Sequence, residues 1–383
     1  MLFILPEAVK KCINTIENHG FEAWCVGGAV RDHVMGVTPG DYDVTTNALP
    51  EDIIGVFEKT VPTGIKHGTV TVIIDGLPIE VTTYRTDGGY QDHRKPTEVI
   101  FVNSIENDLL RRDFTMNAVC YNPKTGIFDP LMGVVDINNK TIRAVGDPLK
   151  RFEEDALRIM RAFRFSCQLG FDIEPNTLNA ALSKAKNLQI ISAERIAVEL
   201  KKSIISNEPW KIAPLILNGG LLHIGISNCT IPECLSSYPT DFALRFAYIC
   251  YTNSIDGEAV LTNLKLDNKT KKSYSIYLKL FEMQCLTSTD IRRMLSVGGI
   301  EHTKNILLTK SPEALSVLDV ILKNNEPYCI SMLKISGEEI KNLGLKSESI
   351  GNALSFLLDK VIETPELNTK DDLLMLVNEF NAD

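Results

Sequence analysis

Val26-Gly27-Gly28-Ala29-Val30-Arg31-Asp32, followed by Asp41-Tyr42-Asp43, is the stretch around which the chain is organised. An apolar, strand-like approach over Ala23, Trp24, Cys25 and Val26 runs into a glycine pair and then into a helix-forming segment that ends near Gly36. Paired glycines let backbone N–H groups approach an anion at the start of a helix, where the dipole also favours negative charge. Gly27 and Gly28 are therefore expected to form a phosphate seat. Asp41 and Asp43 stand two apart beside Val44, Thr45 and Thr46, so on a strand both side chains leave the same face. Two neighbouring carboxylates repel unless a cation lies between them, and hard oxygen ligands beside a phosphate suit Mg²⁺. The pair is the expected metal site.

The rest of the composition fits an enzyme of several structural units. A chain of 383 residues with 44% hydrophobic and 23% charged residues can bury an ample core and is neither disordered nor fibrous. The formal charge of -9 argues against indiscriminate nucleic-acid binding. Arg and Lys nevertheless gather between Arg143 and Arg164, which leaves room for a shaped site for one RNA. Nine cysteines are scattered without a C-x-x-C pair, as expected of reduced core cysteines rather than zinc ligands. The start, Met1-Leu2-Phe3-Ile4-Leu5-Pro6-Glu7, lacks the basic segment of a signal peptide, and no apolar run reaches the roughly 18 residues that would span a bilayer. A cytoplasmic protein with no membrane association is expected, and no protein partner is evident.

Along the chain, Val9, Ile13 and Ile16 predict an amphipathic first helix closed by His19-Gly20. Strand patterns follow at Gly68 to Ile74 and Leu77 to Tyr84, joined by Asp75-Gly76, a β-hairpin with Glu80 on its second strand. Residues 85–98 are polar, rich in Gly and charge, and without periodicity, which predicts an exposed loop. From Asp147-Pro148 onward the composition is helical, without convincing strands.

Several of these segments recur as a set. Gly27-Gly28-x-x-Arg31-Asp32 with Asp41-x-Asp43, then Asp108 to Ala118 (with Arg111-Arg112-Asp113-Phe114-Thr115-Met116-Asn117), Phe128 to Asp136, Arg151 to Phe165 and Glu194 to Leu200, together resemble the five motifs of the bacterial class II tRNA nucleotidyltransferases (CCA-adding enzymes) and the related bacterial poly(A) polymerases. One departure is Met132-Gly133, where that family commonly has two adjacent glycines. The resemblance implies an α+β head followed by all-α neck, body and tail, with expected bounds 1–146, 147–205, 206–325 and 326–383. It implies template-free addition of C, C and A from CTP and ATP to the tRNA 3′ end, with release of pyrophosphate. Gly27, Gly28, Arg31 and Arg112 would hold the triphosphate; Asp41 and Asp43 would hold Mg²⁺, with Glu80 as a third catalytic carboxylate. Arg161 and Arg164 would also touch the nucleotide. Segment 85–98 would be the flexible loop needed for the final adenosine, Glu194-Arg195 would brace the base-reading helix, and Lys346 and Ser347, with Ser347 as a helix cap, would contact the tRNA elbow.

Asp155 and Arg158 carry the base selection implied here. Three apart on one helix, they would lie about 60° apart in projection and face one ligand. A carboxylate accepting from the exocyclic amine and a guanidinium donating to the ring acceptor fit both cytosine and adenine. Guanine and uracil would leave buried groups unpaired, at about 1–3 kcal/mol each. The rival readings are a poly(A) polymerase, an enzyme that adds only A, and a non-enzymatic tRNA-binding protein, the last opposed by the intact carboxylates. No His-Asp dipeptide occurs, which speaks against an attached metal phosphohydrolase domain.

Overall fold

The computed structural model describes residues 3–382 apart from 89, 92–94, 97–98 and 344, with only the backbone of 87, 90, 91, 95, 96, 347, 381 and 382. The chain divides into two compact units, one ending at Glu233 and the other beginning at Cys234, a break that falls inside the segment 206–325.

In the first unit, helix α1 (Glu7–Asn18) buries Val9, Cys12, Ile13 and Ile16 on its inner face, as its spacing predicted. Strand β1 (Ala23–Val26) leads into helix α2 (Gly28–Val34), and β2 (Asp43–Thr46) into α3 (Pro50–Val56). Strands β3 (Thr60–Gly64), β4 (Thr69–Ile74) and β5 (Leu77–Thr83) follow. The β4–β5 hairpin turns at Asp75 and Gly76, whose φ values of 51° and 81° are both left-handed, as a tight two-residue hairpin requires. The segment predicted as an exposed loop makes short antiparallel pairs, β6 (Arg85–Asp87) with β9 (Val99–Phe101) and β7 (Tyr90–Gln91) with β8 (Lys95–Pro96). Residues 89, 92–94, 97 and 98 of that loop lie outside the described residues.

After α4 (Ile105–Leu110), strands β10 (Cys120–Asn122) and β11 (Gly126–Phe128) complete a seven-stranded sheet in the order β11-β10-β1-β2-β5-β4-β3. Only the β2–β5 pair is parallel, so the sheet is mixed. Its register sets Val26 opposite Asp43 and Asp43 opposite Glu80, which brings the glycine turn and two carboxylates to one end of adjacent strands. Beneath them Val26, Tyr84, Leu109, Ala118, Cys120 and Val145 form a buried apolar cluster.

Helix α5 (Gly133–Asn138) begins at Met132, which takes the left-handed conformation (φ 59°) with its side chain largely exposed. The departure from paired glycines thus leaves the turn intact. The next residue has no such latitude: a Cβ on Gly133 would fall 2.2 Å from the Thr115 carbonyl oxygen. A two-residue strand, β12 (Thr141–Ile142), pairs in parallel with β13 (Asp172–Ile173), a small exception to the predicted absence of strands beyond residue 147. Between and after them come α6 (Pro148–Glu154), α7 (Leu157–Leu169), α8 (Pro175–Ser183), α9 (Ala193–Ile204) and the short α10 (Ala213–Leu217). Helix α7 is almost wholly buried.

The second unit is helical: α11 (Phe242–Asn253), α12 (Gly257–Asn263), α13 (Asn268–Glu282), α14 (Ser288–Lys310), α15 (Leu315–Lys323), α16 (Gly337–Asn342), α17 (Ser347–Glu363) and α18 (Lys370–Ala382). Helix α14 is kinked at Gly299, where φ is 68°. The last three helices close over Ile340, Leu357, Val361, Leu373 and Val377. No helix among the described residues is long and apolar enough to cross a membrane.

Candidate active site

Gly27 precedes α2 with φ 76° and ψ -131°, a conformation that a side chain rarely adopts. A Cβ there would lie 3.5 Å from Arg112 Nη1 and 4.0 Å from Asp43 Oδ2, so the bare glycine keeps open the gap between a guanidinium and a carboxylate. Gly28 is the first residue of α2. The Arg112 guanidinium is anchored from below: Nη2 donates to Asp108 Oδ2 at 3.0 Å and Nη1 to the Asn117 carbonyl at 3.5 Å. Asp108 is fully buried; burial pushes its carboxyl up, but Arg112 and Arg111 together outweigh that and hold it below the usual range. Among the described residues Arg112 Nε is a buried donor with no hydrogen-bond partner.

Asp41 is exposed just before β2, Asp43 is half-buried as its first residue, and Glu80 is exposed on β5. The Asp43 carboxyl is pushed up from an ordinary 3.8 to about 6, first by burial, then by Asp41 and Glu80, with Arg112 pulling the other way. This crowding of like charge is the condition that a divalent cation relieves. The described residues contain no group of three or more His, Cys, Asp and Glu that could by itself hold a metal. Asp41 and Asp43 offer two carboxylates, and Mg²⁺ commonly takes one or two and completes its shell with water and substrate phosphates. The donor set fits.

Between Asp155 and Arg158 the structure corrects the sequence reading. They do not share one helix: α6 ends at Glu154, Asp155 is extended (φ -139°, ψ 106°), and α7 starts at Leu157. The Asp155 side chain is what makes the break possible, because Oδ1 accepts from the Leu157 N–H at 3.0 Å in the manner of a cap. Its other oxygen accepts from Arg195 Nη2 at 2.8 Å. Arg158 is buried and donates to the Arg151 carbonyl (3.1 Å), Glu154 Oε2 (2.5 Å) and the Arg111 carbonyl (3.0 Å). The last contact sets the Arg158 guanidinium against the residue before Arg112.

Arg161 Nε donates to Asp113 Oδ2 at 2.8 Å, and Nη2 pairs ionically with the same oxygen at 2.7 Å. Arg164 points to the neighbouring helix, as a straight α7 requires: Nε donates to Glu199 Oε2 at 2.9 Å, and Nη1 donates to Gln168 Oε1 at 2.8 Å. Phe165 lies beneath three guanidiniums, with Arg164, Arg31 and Arg161 at 3.5, 5.2 and 5.3 Å from its centroid. Arg31 itself holds Asp32 at 2.6 Å and Asn117 Oδ1 at 2.8 Å. The structure thus gathers Gly27, Gly28, Arg31, Asp41, Asp43, Glu80, Arg112, Asp155, Arg158 and Arg161 around the end of the sheet and the α6–α7 break, and turns Arg164 aside. Asp108, Asp113 and Asn117, to which the sequence assigns no role, hold Arg112, Arg161 and Arg31 in turn, and their short spacing beside Arg111 and Arg112 is the signal in the sequence. Ser192 stands at the N-cap of α9 but makes no capping bond with its side chain.

In the second unit, Lys346 occupies the N-cap position of α17 and Ser347 is its first residue, so Ser347 is not the cap. The cap position falls to the last extended residue, here Lys346 (ψ 145°).

The poly A polymerase head domain profile matches residues 23–143, and the profile described as a probable RNA and SrmB-binding site of polymerase A matches 170–226. The CCA-adding enzyme of Staphylococcus epidermidis is 34% identical over 397 aligned positions, covering 97% of each chain. The chain belongs to the CCA-adding enzyme family. Another member, from Anoxybacillus flavithermus, is 41% identical over 77% of this chain and 76% of its own. The crystal structure of the Bacillus stearothermophilus CCA-adding enzyme in complex with CTP superposes with a TM-score of 0.86 at 30% identity, covering 99% of both chains. The α+β head and helical remainder are thus the family fold.

Proposed function

We propose that this protein adds C, C and A in turn to the 3′ end of tRNA, taking CTP and ATP without a nucleic-acid template and releasing pyrophosphate. The observation that carries the reading is the contact between Arg158 Nη2 and the Arg111 carbonyl, 3.0 Å, because Arg112 next to it faces Asp43 and Gly27. Groups suited to a base and groups suited to a triphosphate therefore meet in one place.

Gly27 and Gly28 leave room for the triphosphate, while Arg31 and Arg112 hold its oxygens. Asp155 accepts from the amine of cytosine or adenine, and Arg158 donates to the ring acceptor. Both side chains are already bound to protein groups, Asp155 by Arg195 and Arg158 by two carbonyls and Glu154, and so are held in place before a nucleotide arrives. Arg161 keeps an exposed edge beside them. Asp41 and Asp43 would hold Mg²⁺, which when bound makes the tRNA 3′-hydroxyl a better nucleophile and neutralises the leaving pyrophosphate. Glu80, in register with Asp43, adds negative potential at that place.

The expected subdivision is a head at 1–146, neck at 147–205, body at 206–325 and tail at 326–383, with Lys346 and Ser347 meeting tRNA phosphate. The place of action is the cytoplasm, in keeping with nine free cysteines. Transcripts lacking CCA, and transcripts ending in CC, offered single labelled nucleotides, test the reading. Incorporation of CTP on the first and ATP on the second is expected, with UTP and GTP refused. Incorporation of ATP alone on both would instead assign an A-adding enzyme or a poly(A) polymerase.

A further inference from the structure

Asn117 is 7% exposed and closes the short helical turn Thr115–Asn117 between α4 and β10. Its amide is engaged at both ends. Oδ1 accepts from Arg31 Nη1 at 2.8 Å, and Nδ2 donates to Asp113 Oδ1 at 3.1 Å. The orientation follows from the partners: a guanidinium only donates and an ionised carboxylate only accepts, so the oxygen must face Arg31 and the nitrogen Asp113. Asp113 is ionised at any working pH. Burial raises its carboxyl, but Arg161, Asn117 and Arg158 together hold it down to about 2. Its second oxygen accepts from Arg161 Nε at 2.8 Å and lies 2.7 Å from Nη2 of the same guanidinium.

The side chains therefore form one continuous line, Arg31 to Asn117 to Asp113 to Arg161, joining helix α2 to helix α7. We propose that Asn117 is a positioning residue which, with Asp113, fixes the spacing between the Arg31 guanidinium on the triphosphate side and the Arg161 guanidinium on the base side. This rests on the reading of Arg31 and Arg161 given above. A short amide accepts at one corner and donates at the other, as this pair of partners requires. Aspartate would keep the Arg31 bond and set a second carboxylate against Asp113; serine would reach neither partner properly. Phe165 packs against the guanidiniums at both ends of the line, which resists its bending. A nucleotide gripped at base and triphosphate reacts only if both grips are in register with the tRNA 3′-hydroxyl, and an error of about 1 Å can cost roughly a hundredfold in rate.

The test compares wild type, Asn117→Asp and the exchange pair Asn117→Asp with Asp113→Asn on transcripts lacking CCA or ending in CC. The exchange reinstates a donor facing an acceptor between positions 113 and 117, with the polarity reversed. Asn117→Asp is expected to lower kcat for both nucleotides about tenfold to a hundredfold with little change in KM, and to lower the preference for CTP over UTP. The exchange pair should regain at least tenfold of the lost kcat and the lost preference. A folded Asn117→Asp with wild-type kcat and preference overturns the proposal, and so does an exchange pair no better than the single variant. Should Asn117→Asp not fold, Asn117→Ser, which removes both bonds without adding a charge, is judged by the same two readouts. A wild type that transfers neither C nor A would sink the functional reading instead, whereas an active wild type indifferent to residue 117 sinks only the strut.

Discussion

Replacing Asp43 by Asn should stabilise the metal-free protein and abolish turnover. The Asp43 carboxyl is raised from an ordinary 3.8 to about 6 because burial, Asp41 and Glu80 all oppose its charge, and Arg112 offsets only part of that. At ~1.4 kcal/mol for each tenfold change in proton affinity, ionising it in the fold at pH 7 costs at most about 3 kcal/mol relative to the unfolded chain. Water reaches this half-buried side chain, so about half of that figure is the expected gain. The sign fixes the pH window. A raised carboxyl costs nothing while it is protonated in both states, below pH 4; the cost grows between pH 4 and 6 and is constant above. The advantage of the Asp43→Asn variant over the wild type should follow that curve. Mg²⁺ should reverse the order, because it binds the folded wild type and much less the variant, adding about 1.4 kcal/mol for each tenfold excess over its Kd. Urea unfolding followed by tryptophan fluorescence suits the measurement, since both tryptophans, Trp24 and Trp210, lie in the first unit. Equal or lower stability of Asp43→Asn at pH 7 without Mg²⁺, or a difference independent of pH, would refute the electrostatic account.

Three further outcomes are expected. Gly133→Ala should lose about 3 kcal/mol in urea unfolding of the first unit, because its Cβ would meet the Thr115 carbonyl oxygen at 2.2 Å and Val119 Cγ2 at 2.5 Å, and backbone cannot yield cheaply; wild-type stability would show that the turn shifts freely. Arg164→Ala should cost about 3 kcal/mol, the low end for a broken buried ion pair, because the buried Glu199 carboxylate loses its 2.9 Å partner and keeps only Arg161 Nη1 at 3.9 Å, and adding Glu199→Gln should recover part of the loss in the same assay. Arg195→Ala breaks a partly exposed ion pair with Asp155, worth about 1 kcal/mol or less, yet should reduce kcat/KM for CTP and ATP alike by several-fold because Asp155 loses its support. An effect on one nucleotide alone would show that Arg195 does not act through Asp155.

What the chain determined by itself is the chemistry that depends on neighbours in sequence. Two-residue alternation set the β4–β5 hairpin, Asp75-Gly76 its turn, and the short spacing of Asp41 and Asp43 the repulsion between their charges, although Asp41 lies just before the strand and not on it. What only the tertiary structure decided is where helices stop and what their polar residues hold. The run Arg151 to Phe165 reads as one helix because every residue in it tolerates helix, yet Asp155 leaves the helical conformation. A side chain that bonds the N–H two residues on competes with the helix only weakly, and its second bond, to Arg195, lies 40 positions away. The same holds for Arg31 and Asn117, 86 positions apart, and for Arg161 and Asp113, 48 apart. Local propensity carries no information about such pairs. They form because the segment Asp113 to Asn117 links α2 to α7 and buries charged groups there, and buried charges stay only where a partner is present.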